Sequence, residues 1–216
     1  MSFISENAER IKIMTSNNEE KKLNLLLHVC CAPCSSHVLQ LLEEKYNITV
    51  FFYNPNITEQ LEYNKRIDEL KKFVSVADFT RNVNVVEGTY EPELFFEMSR
   101  GLELEPERGS RCYKCYELRM RETAEYAKKH GFDIFTTTLS ISPHKDAGWL
   151  NEIGEKLSSE MGISYLYSDF KKKNGYSNSI RLSKEYDLYR QDYCGCIYSK
   201  RASEERKKNK SNLVDK

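Results

Sequence analysis

The chain has 216 residues, 39% of them hydrophobic and 12% aromatic, which suffices for one buried core and is too apolar for a disordered segment. Its 33 basic and 33 acidic side chains cancel, so no global field draws it to nucleic acid and any such binding must be local. The polar run Met1–Leu23 has no stretch apolar enough for a signal peptide or a membrane span, giving the expectation of a cytoplasmic protein without membrane attachment.

Leu23–Cys30 is a short apolar run that predicts a strand buried on both faces. Ala32-Pro33 ends it, Ser35 or Ser36 is positioned to cap a helix to about Lys45, and Ile48–Tyr53 reads as the second strand, closed by Asn54-Pro55-Asn56. Thr58 is expected to cap a helix with Leu61, Ile67, Leu70, Phe73 and Val74 as its inner stripe. Val83–Val86 reads as strand three and Glu91–Arg100 as a helix. The charged loop 101–110 then delivers Cys112 and Cys115 to the start of a helix that Gly131 ends. Asp133–Leu139 and Ile163–Tyr167 read as strands four and five, with a helix to about Glu160 between them. Ser179–Tyr186 and the residues after Cys196 read as two further helices. Alternating strands and helices predict an α/β fold: a doubly wound, Rossmann-like, parallel five-stranded sheet with a C-terminal helical extension. The division is a polar N-terminal extension (1–22), one α/β metal-binding catalytic domain (23–200) and a basic tail (201–216).

All seven cysteines fall in tight groups: Cys30/Cys31/Cys34, Cys112/Cys115 and Cys194/Cys196. In a reducing compartment such clustering reads as metal ligation or a working dithiol, and an odd count argues against a fully paired disulfide framework. In open parallel sheets the ligand crevice lies beyond the carboxyl ends of the strands, where the first group is expected, with Thr137, Thr138, Ser140 and His144 on the neighbouring wall. Cys112-x-x-Cys115 at a helix start favours thiolates, in a spacing shared by zinc knuckles, iron-sulfur sites and dithiols. Seven ligands exceed one four-coordinate centre, so Cys30 and Cys31 are read as reaching two adjacent sites. Cys194-Gly195-Cys196 fits either a second metal or a strained disulfide. His28 reads as a satisfied core histidine and His37 and His130 as helix-surface residues, whereas His144 fits equally an acid or hydrogen-bonding role and a structural one. Asp146, Asp169 and Asp192 lie near the cysteines; Asp169, after strand five, is placed to orient a substrate, though capping or charge pairing is the commoner fate of such a residue.

Five blocks in order resemble one family: Leu27–Cys34, Phe52–Ile57, Arg111–Arg119, Thr137–Lys145 and Leu182–Cys196. They are similar to QueH, the cobalamin-independent epoxyqueuosine reductases, over about Leu23–Lys200. The resemblance implies a cytoplasmic oxidoreductase that removes the epoxide oxygen of epoxyqueuosine at the tRNA wobble position, the last step of queuosine biosynthesis. It implies a 4Fe-4S cluster with an adjacent second iron, and an unidentified low-potential electron donor. Residue by residue, it assigns Cys30, Cys31, Cys112 and Cys115 to the cluster. Cys194 and Cys196 become a redox-active disulfide or ligands of the second iron, and Cys34 a further catalytic ligand. On this reading Arg111, Arg119, Arg121, Lys145, Lys171–Lys173 and Arg181 would meet tRNA phosphates, and Tyr53, Tyr176, Tyr189 and Tyr193 would offer stacking faces.

Two other readings share features of the chain. An ATP-dependent tRNA-modifying enzyme of the adenine-nucleotide hydrolase, HUP-like fold would need a glycine-rich cradle after strand one, and Cys-Cys-Ala-Pro-Cys has none. A non-catalytic zinc-stabilised tRNA-binding module would use four cysteines and leave three unemployed.

Overall fold

The structure is a computed structural model and describes residues 22–214; almost all of the N-terminal extension and the last two residues of the tail lie outside the described residues. Strands β1 (Leu23–His28), β2 (Tyr46–Phe52), β3 (Asn84–Glu87), β4 (Ile134–Thr137) and β5 (Ser164–Tyr165) form one all-parallel sheet in the order β3-β2-β1-β4-β5. Helices α1 (Ala32–Leu42), α2 (Gln60–Val76), α3 (Pro92–Ser99), α4 (Ser110–Lys129) and α5 (Ala147–Met161) connect the strands, and α6 (Gly175–Glu185) and α7 (Ile197–Val214) follow β5. The expected doubly wound sheet and helical extension are therefore present.

Strand periodicity divides the core. Leu25 and Leu27 point to one face and pack with Val50, Phe52 and the inner residues of α1 and α2, while Leu26 and Phe51 point to the other and pack with Met120, Ala124, Leu150 and Ile153 of α4 and α5. Because both faces are covered, β1 carries no polar alternation and its centre is completely buried. The strand order reverses between β1 and β4, which opens the ligand crevice beyond their carboxyl ends.

His28 ties that end of the sheet together. Its Nε2 lies 3.0 Å from the Tyr53 carbonyl, which can only accept, so Nε2 carries the proton and the Thr137 hydroxyl donates to Nδ1 at 2.8 Å. Burial, followed by the charge of Arg119, pushes the ring down to about 3, so it is a neutral, satisfied core histidine.

Several boundaries differ from the sequence reading. Ser35 and Ser36 do not cap α1; both are buried inside it and donate back to the carbonyls of Ala32 and Pro33, and Cys31 occupies the cap position. Glu59 rather than Thr58 precedes α2, whose inner stripe is Tyr63, Arg66, Ile67, Leu70 and Phe73, while Leu61 is 84% exposed. β4 stops at Thr137 because its hydroxyl accepts the Leu139 N–H and winds Thr138–Ile141 into a 3-10 turn. α6 starts at Gly175, and α7 continues without a break through residues expected as a tail.

Gly175 is fixed by packing. A Cβ there would lie 1.8 Å from the Phe170 carbonyl oxygen. Gly175→Ala is expected to cost about 3 kcal/mol in urea unfolding, since backbone must shift to make room; a wild-type midpoint would show that the turn yields freely.

Candidate metal and catalytic site

The β1–α1 turn, the first turns of α4 and the loop before α7 meet at the carboxyl end of the sheet, around a cavity of about 530 Å³ that all seven cysteines line. Each group sits at a helix start: Cys31 caps α1, Cys112 and Cys115 lie in the opening turns of α4, and Cys196 immediately precedes α7. Three positive helix ends thus face one thiol-rich space, where they favour negative charge.

Cys30, Cys31 and Cys34 hold their sulfurs within 4.8 Å of one another, with Cys30 and Cys31 at 3.8 Å. The chain turns at Ala32-Pro33 and enters α1, so two adjacent residues and a third one helical turn on share a face. Hydrogen bonding with Cys31 and Cys34 holds Cys30 well below the ordinary thiol range and raises its two neighbours, Cys31 to about 12. Of the three sulfurs, Cys30 is the one its neighbours favour as a thiolate.

Cys194 and Cys196 repeat that asymmetry. Their sulfurs lie 3.5 Å apart as free thiols in one hydrogen-bonded pair, and that contact lowers Cys194 to about 5 and raises Cys196. The Ser199 N–H donates to Cys196 Sγ at 3.3 Å and the Cys194 N–H donates to Ser199 Oγ at 3.1 Å, so the pair also caps α7. Gly195 is required here: its φ is +114°, and a Cβ would lie 2.8 Å from Ile57 Cγ1.

Cys112 and Cys115 depart from the expectation that a helix start makes thiolates. Burial raises Cys112 despite the Arg108 N–H at 3.3 Å, and burial pushes Cys115 up to about 11. The helix end is outweighed by desolvation. Cys115 packs with Cys196 and Phe95, while Cys112 packs against the cluster that holds Cys30 and Cys31, so α4 bridges the other two groups.

Of the expected neighbouring wall, His144 lines the cavity, whereas Thr137, Thr138 and Ser140 are completely buried beneath it; Ile141–Lys145 form that wall, with His144 exposed and Lys145 half-buried. Burial works against the Lys145 charge, yet the cysteine sulfurs it faces, Cys30 first, hold the ammonium above its ordinary value.

The basic residues expected to meet phosphate mostly have other partners. Arg111 is buried and its Nη1 donates to the carbonyls of Leu102, Glu103 and Glu105 at 2.8, 3.1 and 2.7 Å; Arg121 pairs with Glu117 and Glu160; Lys171 and Lys172 pair with Asp169; Arg181 pairs with Glu185. Arg119 is buried within the cavity wall. Of the four tyrosines, Tyr53 is core, stacked on Phe51, whereas Tyr176 and Tyr193 line the cavity and Tyr189 packs under Lys65. Asp146 caps α5, and Asp192 accepts from Ser203 and pairs with Lys207, as expected for structural carboxylates.

Sequence reasoning missed Arg66. It is 1% exposed, bonded through Nε to Glu62 at 2.7 Å, through Nη1 to the Cys194 carbonyl at 3.1 Å and through Nη2 to the Tyr193 carbonyl at 3.4 Å. The Asn56 amide and the Thr58 N–H bind the same turn, so the loop after β2 fixes the Cys194–Cys196 segment. The signal was present: Arg66 falls between Tyr63 and Ile67 on the helical stripe of α2, where a charged residue needs a buried partner.

Residues 25–202 match the family model described as epoxyqueuosine reductase QueH. The chain is 43% identical over 183 residues to the "Epoxyqueuosine reductase QueH" of Streptococcus pyogenes serotype M1, covering 84% of this chain and 72% of that one. It is 36% identical over 197 residues to the protein of the same name in Haemophilus influenzae, covering 90% and 77%. For Thermotoga maritima the figures are 35% over 176 residues, 81% and 89%. No helix among the described residues is long and apolar enough to cross a membrane. Matched from within β1 through every cysteine, the chain belongs to the epoxyqueuosine reductase QueH family.

Proposed function

We propose that this chain is an oxidoreductase that reduces the epoxide of epoxyqueuosine in tRNA to queuosine. Two electrons and two protons enter, both epoxide C–O bonds break, a C=C bond forms and water leaves. The observation that carries the reading is the convergence of all seven cysteines on one cavity of about 530 Å³ in a member of this family, a volume within the range of small-molecule sites.

The donor set fits an iron-sulfur centre. All seven thiols are free, three lie within 4.8 Å of one another, and buried cations offset the charge that deprotonated sulfurs would bring. Cys30, Cys31, Cys112 and Cys115 would hold a 4Fe-4S cluster, with Cys34, Cys194 and Cys196 as donors to a second iron or, for the last two, as a redox-active dithiol. When bound, such a centre supplies single electrons and a Lewis acid for the epoxide oxygen. The chain itself orients the substrate: Tyr176 and Tyr193 face the cavity and can stack on a base that enters it, and Lys145 brings a positive charge to the same wall. Residues 23–200 would form the catalytic domain, supplied by a low-potential donor in the cytoplasm.

Anaerobic purification followed by incubation with epoxyqueuosine-containing tRNA and a low-potential reductant tests the reading by nucleoside mass spectrometry. The expected product is lighter by one oxygen. A colourless protein holding a single zinc, or a persisting epoxide with full iron loading and intact tRNA binding, would overturn it.

A further inference from the structure

Arg119 is the most deeply buried cation of the cavity without a carboxylate partner among the described residues. It is 2% exposed; its guanidinium makes one hydrogen bond among the described residues, from Nε to the Cys115 carbonyl at 3.2 Å, and its Cζ lies 5.7 Å from the Tyr116 ring centroid. The comparable cations are satisfied elsewhere: Arg66 has Glu62, Arg111 has three carbonyls and Arg121 has two glutamates. No carboxylate pairs with Arg119 among the described residues. A buried guanidinium without a counter-charge costs several kcal/mol, and the cavity that Arg119 lines is where all seven cysteines converge.

The groups beside it on that wall are cysteines. Arg119 is four residues after Cys115 and seven after Cys112 on α4, which puts it on the same helical face, one and two turns below them. Arg119 thus lines the same cavity as a cysteine of every group. Burial also removes it from any surface phosphate.

We infer that Arg119 is a positioning residue: the shared counter-ion that keeps the three cysteine groups together as thiolates around one centre and favours that centre's reduced state. The inference rests on the metal-centre reading of the site. Its physical content is electrostatic. A fixed positive charge beside a redox centre stabilises the form with the added electron, and beside metal-bound thiolates it offsets their residual negative charge.

The test compares wild type, Arg119→Gln and Arg119→Lys. Gln keeps a donor for the Cys115 carbonyl and removes the charge, whereas Lys keeps the charge and loses the guanidinium fork; Arg119→Met serves where Gln does not fold. After anaerobic iron loading, R119Q is expected to have a midpoint at least tenfold less favourable for reduction, which is about 59 mV more negative for one electron, and R119K to recover most of that shift. Titration of the iron-free proteins with Co²⁺, followed by thiolate-to-cobalt absorption, is expected to show at least tenfold weaker binding in R119Q and recovery in R119K. A purely structural role would lower the melting temperature and leave both quantities alone. Unchanged midpoint and cobalt affinity in R119Q overturn the inference while the site reading stands. A wild-type protein that takes up neither metal overturns the site reading, and the inference falls with it.

Discussion

Cys112→Ala is expected to abolish iron retention and epoxide reduction while leaving the fold intact. Cys112 is half-buried in the first turn of α4, and alanine is the best helix former, so little packing is lost. The sulfur, by contrast, faces the cavity and packs against the cluster that contains Cys30 and Cys31. Losing an outer-shell partner costs a metal site roughly 10–100-fold, and losing a cluster ligand should exceed that, taking turnover below detection. Iron analysis, visible absorption and nucleoside mass spectrometry read the three effects, with circular dichroism as the check on folding. Full iron and activity in the variant would remove Cys112 from the ligand set. A parallel Cys34→Ala variant separates the triad's third sulfur from the cluster: cluster absorption should persist while the second iron is lost.

The second large effect is expected at Arg66. Removing one member of a buried, hydrogen-bonded ion pair leaves the other uncompensated and costs about 3–5 kcal/mol. Arg66→Ala strands Glu62, 11% exposed, and takes donors from the carbonyls of Cys194 and Tyr193. For a chain of this length that corresponds to a fall in melting temperature of roughly 6–20 °C. Function should suffer more than stability alone explains, because the same guanidinium fixes the turn that carries Cys194 and Cys196. Labelling of Cys194 by a thiol reagent in the still-folded variant, at a temperature below its transition, should accelerate. An unchanged melting curve together with unchanged labelling would show that Asn56 and Thr58 hold the turn without it.

Much of the fold was legible because a doubly wound sheet writes itself in continuous apolar strands and amphipathic helices. Leu23–His28 could only be buried on both faces, and Leu25, Leu26 and Leu27 do divide between two cores. Capping was less legible. Ser35, Ser36 and Thr58 have the right side chains for caps, but a serine inside a helix can bond its own turn, and sequence does not say which carbonyl or N–H lies within reach. The outward placement of Leu61 was hidden for a similar reason, since one helix offers more apolar residues than its buried stripe can hold.

The sequence by itself determined the cysteine groups, their spacing and the family blocks around them, because thiol chemistry depends on residue type and on neighbours one helical turn apart. Tertiary structure alone decided that three groups separated by some eighty residues each share one cavity, and that Arg119 and Arg66 face inward while Arg121 and Arg181 pair at the surface. The physical reason is that the winding of the chain about the sheet sets which helix starts converge. Only that convergence decides whether a cation meets water, a carboxylate or a thiolate.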